Sequence, residues 1–258
     1  MPHSTHKNFA SVIVALSLAL AFPCYGQKPS SKKPTPPQQQ ASSAPQKATG
    51  ELESVLSQLD KASEGFHSVQ ADFVWNQYQK VVDETDVQKG SIYFVRNDKD
   101  KDKGTQMAAD ITVPDKKYVV FNDGKLRLYI PKIDQLTEYE TTEKNRGDLE
   151  SFLVLGFGSR GHDLLKAFDT KFDGYQTLDN TRVAKLSLTP KSQRVRNIFD
   201  SVTLWVDPAR GLSLKQQFFE PSGDNRTALY SNFKLNVKVP GDVFKLKTTS
   251  RTKIIRPQ

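Results

Sequence analysis

Short segments in which apolar side chains occupy every second position are the feature that most limits the fold of this chain. Val69, Ala71, Phe73 and Trp75 have this period of two, which is typical of β-strands. Asp123-Gly124 lies between two such segments and supplies the positive φ that a tight hairpin turn needs. Short strands at steady spacing, with turn residues between them, predict an antiparallel barrel or sandwich. The other predicted strands are residues 91–96, 107–113, 118–121, 126–130, 133–141, 182–189, 198–206, 212–220 and 227–237.

Helical periods occur in two places. Leu52, Val55, Leu56 and Leu59 recur at the spacing of one helix face and predict a helix that ends near Gly65. In the middle of the chain, residues 148–155 and 162–168 predict two short helices on either side of a glycine-rich segment. The expected order is therefore one helix, a first group of strands, a helical insertion and a second group of strands.

The N-terminal region predicts export. Lys7 precedes an apolar run, residues 9–22, that is shorter than the about 20 residues needed to span a bilayer. This pattern is typical of a secretory signal peptide, residues 1–26, cleaved after Gly26. Lipid modification of Cys24 is an alternative, although Pro23 is a poor fit to the small residue that such processing needs.

Three further segments complete the predicted organisation. Residues 27–50 are rich in proline and glutamine and contain no aromatic residue, so they predict a disordered linker. Residues 51–249 form the predicted folded domain, and residues 250–258 a basic tail. The formal net charge of +8 lies at the two ends, because residues 1–50 and the segment from Lys245 onward contain no acid. The domain itself lacks the basic face that nucleic-acid binding usually requires, so no nucleic-acid partner is expected.

Gly156-Phe157-Gly158-Ser159-Arg160-Gly161 matches the dinucleotide-binding fingerprint G-x-G-x-x-G. That fingerprint functions within a parallel βαβ unit, whereas the predicted neighbours are helical and antiparallel. We interpret the segment as a flexible joint between two helices and expect no cofactor.

Few residues suit catalysis. After removal of the signal peptide only His67 and His162 remain as histidines, and neither an H-E-x-x-H motif nor a G-x-S-x-G motif is present. Paired carboxylates for glycoside hydrolysis stay possible, although no feature points to them. We therefore predict no catalytic residue, no metal site and no enzyme activity.

Several short motifs follow one another along residues 51–249. They are Val69-Gln70-Ala71-Asp72-Phe73, Gly90-x-Ile92-Tyr93-Phe94-x-Arg96, Asn122-Asp123-Gly124-Lys125 with Tyr129-x-Pro131 and Gln135, Leu188-x-Pro190, Leu204-x-Val206-Asp207, and Asn236 followed by Pro240 and Phe244. Their order resembles the LolA family of periplasmic lipoprotein carriers and the related LolB and RseB-type half-barrels. The resemblance implies an incomplete antiparallel β-barrel of about ten or eleven strands, mainly β with α, covered by an N-terminal helix and a mid-chain helical lid.

The resemblance also implies a function and a site. A monomer would hold lipoprotein acyl chains, or other acylated cargo, in an apolar cavity in the periplasm. It would receive this cargo from an inner-membrane lipoprotein-releasing transporter and pass it to an outer-membrane acceptor. The alternative is a regulatory module of the same fold that senses lipids or lipoproteins. The expected cavity and lid residues are Phe73, Trp75, Ile92, Phe94, Leu128, Ile130, Phe152, Leu153 and Phe157.

Arg96 matches the arginine that helps to hold the lid closed in this family, and it is the expected lid latch. The chain departs from the family pattern directly after it. Asn97 stands where a proline is common, and residues 98–103 insert a charged loop.

Overall fold

A computed structural model of the chain describes residues 45–96, 104–140 and 155–257. The predicted signal peptide, most of the linker, the first lid helix with Phe152 and Leu153, and the charged loop 98–103 lie outside these residues. The helices are α1 (Pro45–Glu64), α2 (Gly161–Ala167) and α3 (Gln193–Arg196), with 3₁₀ turns at Pro131–Ile133 and Gly241–Phe244. The strands are β1 (Ser68–Gln79), β2 (Glu84–Arg96), β3 (Thr105–Val113), β4 (Lys117–Asn122), β5 (Lys125–Ile130), β6 (Gln135–Glu140), β7 (Phe168–Leu178), β8 (Thr181–Pro190), β9 (Ser201–Asp207), β10 (Leu212–Phe219), β11 (Asn225–Leu235) and β12 (Lys253–Ile255).

All twelve strands belong to one curved sheet in the order β12-β6-β5-β4-β3-β2-β1-β11-β10-β9-β8-β7. Neighbouring strands are antiparallel except β12, which pairs in parallel with β6. Strands β7 and β12 are the two edges, and no pairing among the described residues joins them. The sheet is thus an open, incomplete antiparallel barrel, which confirms the predicted fold class.

One face of this sheet, here called the inner face, is mainly apolar. Residues paired directly across antiparallel strands point to the same side of a sheet. A row of such partners runs from β8 across the sheet to β1, and all of its side chains point to the same side. These partners are Leu186, Leu204, Gln216, Ala228 and Trp75 in β8, β9, β10, β11 and β1.

Helix α1 packs against one half of the inner face. Val55, Leu56 and Leu59 are almost completely buried against strands β8 to β10. The apolar side chains whose spacing predicted this helix therefore lie on the side of the helix that packs against the sheet. The helix begins at Pro45, inside the segment predicted as linker.

The opposite, outer face of the sheet is covered by the C-terminal segment at one end. Phe244 packs on Ala108 and Val120. Beyond it, β12 lies along β6, and the side chains of Thr249 and Thr252 both donate hydrogen bonds to the Asp134 carboxylate. The predicted basic tail therefore contains an edge strand of the sheet.

The sheet has twelve strands, whereas the sequence predicted about ten or eleven. Strand β7 was not predicted, and Phe168, assigned to a helix, is its first residue. Strand β7 is an exposed edge with mixed burial and a register shift between Phe172 and Tyr175, so its pattern of two is weak. Strand β12 has three residues and depends on pairing with β6 over a long sequence separation.

Candidate functional site

The predicted cavity residues that the structure describes lie together on the inner face. Ile130 packs at the margin of this group, while Phe152 and Leu153 lie outside the described residues. One continuous buried cluster contains Phe73, Trp75, Ile92, Phe94, Leu128 and Phe157.

Aromatic rings form the centre of this cluster. Phe73 and Trp75 stack with ring centroids 4.1 Å apart. Phe157 meets Tyr230 edge to face at 5.0 Å and lies 6.3 Å from Phe94. Ring pairs in these arrangements add to the stability that area burial alone provides.

A cavity of about 110 Å³ lies where the two halves of the inner face meet. Its walls come from strands β1 to β4, β10 and β11 and from the segment that precedes α2. The residues that line it are Trp75, Ile92, Met107, Ala109, Val119, Leu155, Phe157, Gln216, Phe218, Arg226, Ala228 and Tyr230.

Only Trp75, Ile92 and Phe157 among the lining residues were predicted as cavity residues. The contribution of β10 and β11 was missed, although one pattern pointed to it. Ala228 and Tyr230 lie two positions apart in the predicted strand 227–237, and Arg226, directly before that strand, continues their spacing, which places all three on one face. Without the pairing of β11 with β1, that face cannot be identified as the inner one.

The polar groups beside the cavity are mostly bonded to each other. Tyr230 Oη donates to Gln216 Oε1 at 3.1 Å, and Gln216 Nε2 donates to the Leu155 carbonyl at 2.6 Å. Burial raises the pKa of Tyr230 to about 12, so its hydroxyl stays neutral. Arg226 is the charged group of the lining.

Residues 155–158, here called the anchor segment, hold the end of the lid region against β10. Ser213 N donates to the Gly156 carbonyl at 2.7 Å, and Gly158 N donates to the Gly211 carbonyl at 2.9 Å. Phe157, between the two glycines, forms a β-bridge with Leu212. The anchor segment is thus a short extension of the sheet pairing.

The glycines of the G-x-G-x-x-G motif serve close packing. Gly156 and Gly158 have φ of +80° and +68°, a conformation that favours glycine. A Cβ atom on Gly158 would lie 2.2 Å from the Phe66 ring, and one on Gly161 would lie 2.2 Å from the Leu56 carbonyl oxygen of α1. The sequence predicted a flexible joint here, and in the structure these residues pack between α1 and the sheet.

Arg96 connects α1 to the anchor segment. Its side chain continues the inner face of β2 two residues after Phe94. Nη1 donates to the Gly158 carbonyl at 2.9 Å, and Nη2 donates to the Ser63 carbonyl in the last turn of α1. The guanidinium also lies 5.6 Å from the centroid of the Phe66 ring. Both bonded carbonyls belong to elements that cover the inner face.

His162, in α2, connects that helix to α1. Its Nε2 lies 3.1 Å from Glu53 Oε1, and its Nδ1 is hydrogen-bonded to the Asp60 carboxylate. The hydrogen bond to Asp60 and the nearby charges raise the pKa of His162 despite partial desolvation. The sequence placed this histidine at a helix start but did not reveal its two acidic partners on α1.

Among the described residues, no group of three or more histidine, cysteine and acidic side chains is arranged to hold a metal ion. In the same residues no helix has both the length and the apolar character that crossing a membrane requires.

No family model and no curated protein matches the chain. Among solved structures, an uncharacterized conserved protein from Thermus thermophilus is 12% identical with a TM-score of 0.50, covering 80% of this chain and 99% of that one. The LolA superfamily protein NE2245 from Nitrosomonas europaea is 14% identical with a TM-score of 0.38, covering 76% of this chain and 97% of that one. The match to the Thermus thermophilus protein indicates a shared overall fold.

A chain from the MucA/MucB complex of Pseudomonas aeruginosa is also similar. It is 16% identical with a TM-score of 0.47, and the match covers 76% of this chain and 61% of that one. This chain thus spans about three fifths of the length of that relative. Similarity at these identities concerns the fold alone, because one fold supports many functions.

Proposed function

We propose that this LolA-like chain binds the acyl chains of lipidated proteins at the inner-face cavity and carries them through the periplasm towards the outer membrane. The observation that carries the proposal is the cavity itself. Aromatic and aliphatic side chains line it, and the anchor segment closes it from one side. Burying an acyl chain stabilises a complex by roughly 0.8 kcal/mol per CH₂ group, so a protected apolar cavity is what such cargo requires.

The volume of the cavity implies movement of its cover. Sites for small molecules usually enclose roughly 300–1,000 Å³, whereas this cavity has about 110 Å³. A complete acyl chain therefore fits only when the covering elements move away from the sheet. Among the described residues, the anchor segment is the element whose movement would enlarge the cavity.

Arg96 is suited to control this movement. Its guanidinium bonds to carbonyls of both α1 and the anchor segment, so separation of the two elements breaks at least one charged hydrogen bond. Hydrogen bonds of this type contribute roughly 1.5–3 kcal/mol each. Such a latch would keep the cover closed and still yield to an entering acyl chain.

The proposed role needs partners on both membranes. An inner-membrane lipoprotein-releasing transporter would supply the cargo, and an outer-membrane acceptor would receive it. A regulatory module of the same fold would also bind acyl chains but would not deliver them. Transfer of a bound lipoprotein from the protein to acceptor vesicles therefore distinguishes the carrier from the regulator.

The two tryptophans provide a test with an internal control. Trp75 lines the cavity, whereas Trp205 packs with Val183 and Leu214 on the outer face. In the Trp205→Phe variant, a brominated long-chain alcohol should quench the fluorescence of Trp75 in a saturable manner. In the Trp75→Phe variant, the same alcohol should leave Trp205 unquenched. Equal quenching of both variants, or of neither, would contradict binding at the cavity.

A further inference from the structure

One side chain of the cavity is not explained by the binding of a purely apolar chain. Arg226 lies in β11 on the same face as Ala228 and Tyr230 and is paired across the sheet with Phe218. A guanidinium in an apolar environment is costly unless it has charged or hydrogen-bonding partners. Its position in the wall of this cavity makes its N–H donors available to a bound ligand.

The nearest groups hold Arg226 in place and leave its charge largely uncompensated. Its Cζ lies 5.2 Å from the centroid of the Phe218 ring and 5.8 Å from that of the Trp75 ring. None of the ion pairs between described residues includes it, and the acid that acts on it electrostatically is Glu220. Burial raises the pKa of Glu220, which weakens the compensation that this carboxyl gives.

The neighbouring polar side chains do not take up the donors of Arg226. Tyr230 and Gln216 are bonded to each other and to the anchor segment. Arginine keeps its charge even where burial lowers its pKa, as it does here. The cavity thus combines apolar walls with a fork of N–H donors held between two rings.

The position of Arg226 also suits a head group. It is the second residue of β11, directly after the β10–β11 turn, and it is half-buried. An anion bound there would stay close to water, while a chain attached to it would extend towards Ile92 and Met107 along the cavity. Arginine forks bind carboxylate and phosphate oxygens in a bidentate manner.

We propose that the preferred ligand of the inner-face cavity is an acyl chain that ends in a carboxylate or phosphate, with the Arg226 guanidinium binding the anionic group. This inference rests on the proposed function, since it assigns the class of ligand for the same cavity. It predicts that acidic lipids, such as free fatty acids or lipids with a phosphate monoester, bind in addition to the acyl chains of lipoproteins.

Four probes test the inference: dodecanoate, dodecyl phosphate, dodecanol and inorganic phosphate. Each competes with a neutral fluorescent acyl probe for the full-length protein. Both anionic lipids should bind at least about tenfold more tightly than dodecanol, as expected for charged hydrogen bonds. Inorganic phosphate should not compete. Preference for only one of the two anions would identify the source of the head group.

Variants locate the effect. Arg226→Leu should remove the preference for anions and keep the binding of dodecanol, and Arg226→Lys should retain part of the preference. Arg182→Leu is a matched control, because Arg182 is exposed and stacks on Tyr175, whose ring lies 3.7 Å from its Cζ, away from the cavity. Equal affinity of the wild-type protein for dodecanol and dodecanoate would overturn the inference and leave the proposed function intact. If dodecanol does not bind either, both fail.

Discussion

At the scale of single residues, Arg96 is the proposed latch of the cavity. The Arg96→Leu variant loses the hydrogen bonds to the Ser63 and Gly158 carbonyls and gains an apolar side chain at the end of the β2 face. We expect acyl probes to bind more tightly to this variant, and to leave it more slowly, than to the wild-type protein. Loss of one charged hydrogen bond, about 1.5–3 kcal/mol, corresponds to roughly a tenfold change or more.

Stopped-flow transfer of a fluorescent lipid from the protein to vesicles measures this release. Arg96→Lys is the control, since it keeps the charge but replaces the two-pronged guanidinium. It should give an intermediate rate. Release from Arg96→Leu at the wild-type rate would show that Arg96 is a structural contact and does not act as a latch.

His162 gives the contact between α1 and α2 a dependence on pH. Its pKa is raised by Asp60 and Glu53, so the protonated form is stabilised in the folded state. The stabilisation is fully present below the unfolded-state pKa of about 6.5 and is lost as the pH rises through the raised pKa of the folded protein. The pKa of Asp60 is lowered by its bonds to His162 although burial opposes this, which agrees with an ion pair.

Urea unfolding of wild-type protein and of His162→Gln at a series of pH values measures this contribution. The difference in free energy of unfolding should be largest in mildly acidic buffer and should decrease as the pH rises above neutrality. His67→Gln is the control, because His67 is exposed. A difference that is constant with pH would exclude the charged pair as its cause.

At the scale of elements, the anchor segment depends on glycine. Gly158→Ala places a Cβ atom 2.2 Å from the Phe66 ring at a φ of +68°. Overpacking and backbone strain of this kind cost about 1–3 kcal/mol each, so we expect a clear fall in the free energy of unfolding. Gly65→Ala is the matched control, because a Cβ atom on Gly65 would have no other atom within 4 Å. Equal unfolding midpoints for the two variants would contradict the close packing described for the anchor segment.

The elements that the sequence revealed are those whose side chains are buried on one face. Val69 and Phe73 gave β1 a strict period of two, and Asp123-Gly124 located the β4–β5 turn, where Asp123 has a φ of 51°. Strand β7 escaped prediction because much of it faces solvent, so burial imposes little alternation on it. Local patterns record which side of an element is buried but not which other element buries it.

The candidate site shows the same limit. Trp75, Ile92 and Phe157 were predicted because large apolar side chains mark a buried face. Arg226 was not, since it directly precedes the predicted strand 227–237 and arginine is usually a surface residue. Its place in the cavity follows from the pairing of β11 with β1 across a long sequence separation.

At the scale of the whole molecule, the C-terminal segment protects one edge of the sheet. Strand β12 covers β6, while Thr249, Thr252 and Arg256 bond to Asp134 and Glu138. Removal of residues 249–258 should expose the backbone groups of β6 and promote association between copies, because open strand edges pair with one another. We also expect a lower free energy of unfolding.

Sedimentation velocity and urea unfolding of the truncated protein test this role. Arg256→Ala is the control, because it removes only one partly exposed ion pair, whose contribution is roughly 0–1 kcal/mol. Its sedimentation should match that of the wild-type protein. A truncated protein that remains monomeric and equally stable would show that β12 does not protect the edge.

Native mass spectrometry of the protein purified from cells without added lipid tests the central claim most directly. The wild-type protein should carry acylated molecules that are released on extraction with organic solvent. The Ile92→Lys variant, with a charge in the wall of the cavity, should carry much less of this material, and circular dichroism checks that the variant is folded. Wild-type protein without acylated ligand, or the same ligand content in both proteins, would contradict an acyl-binding site on the inner face.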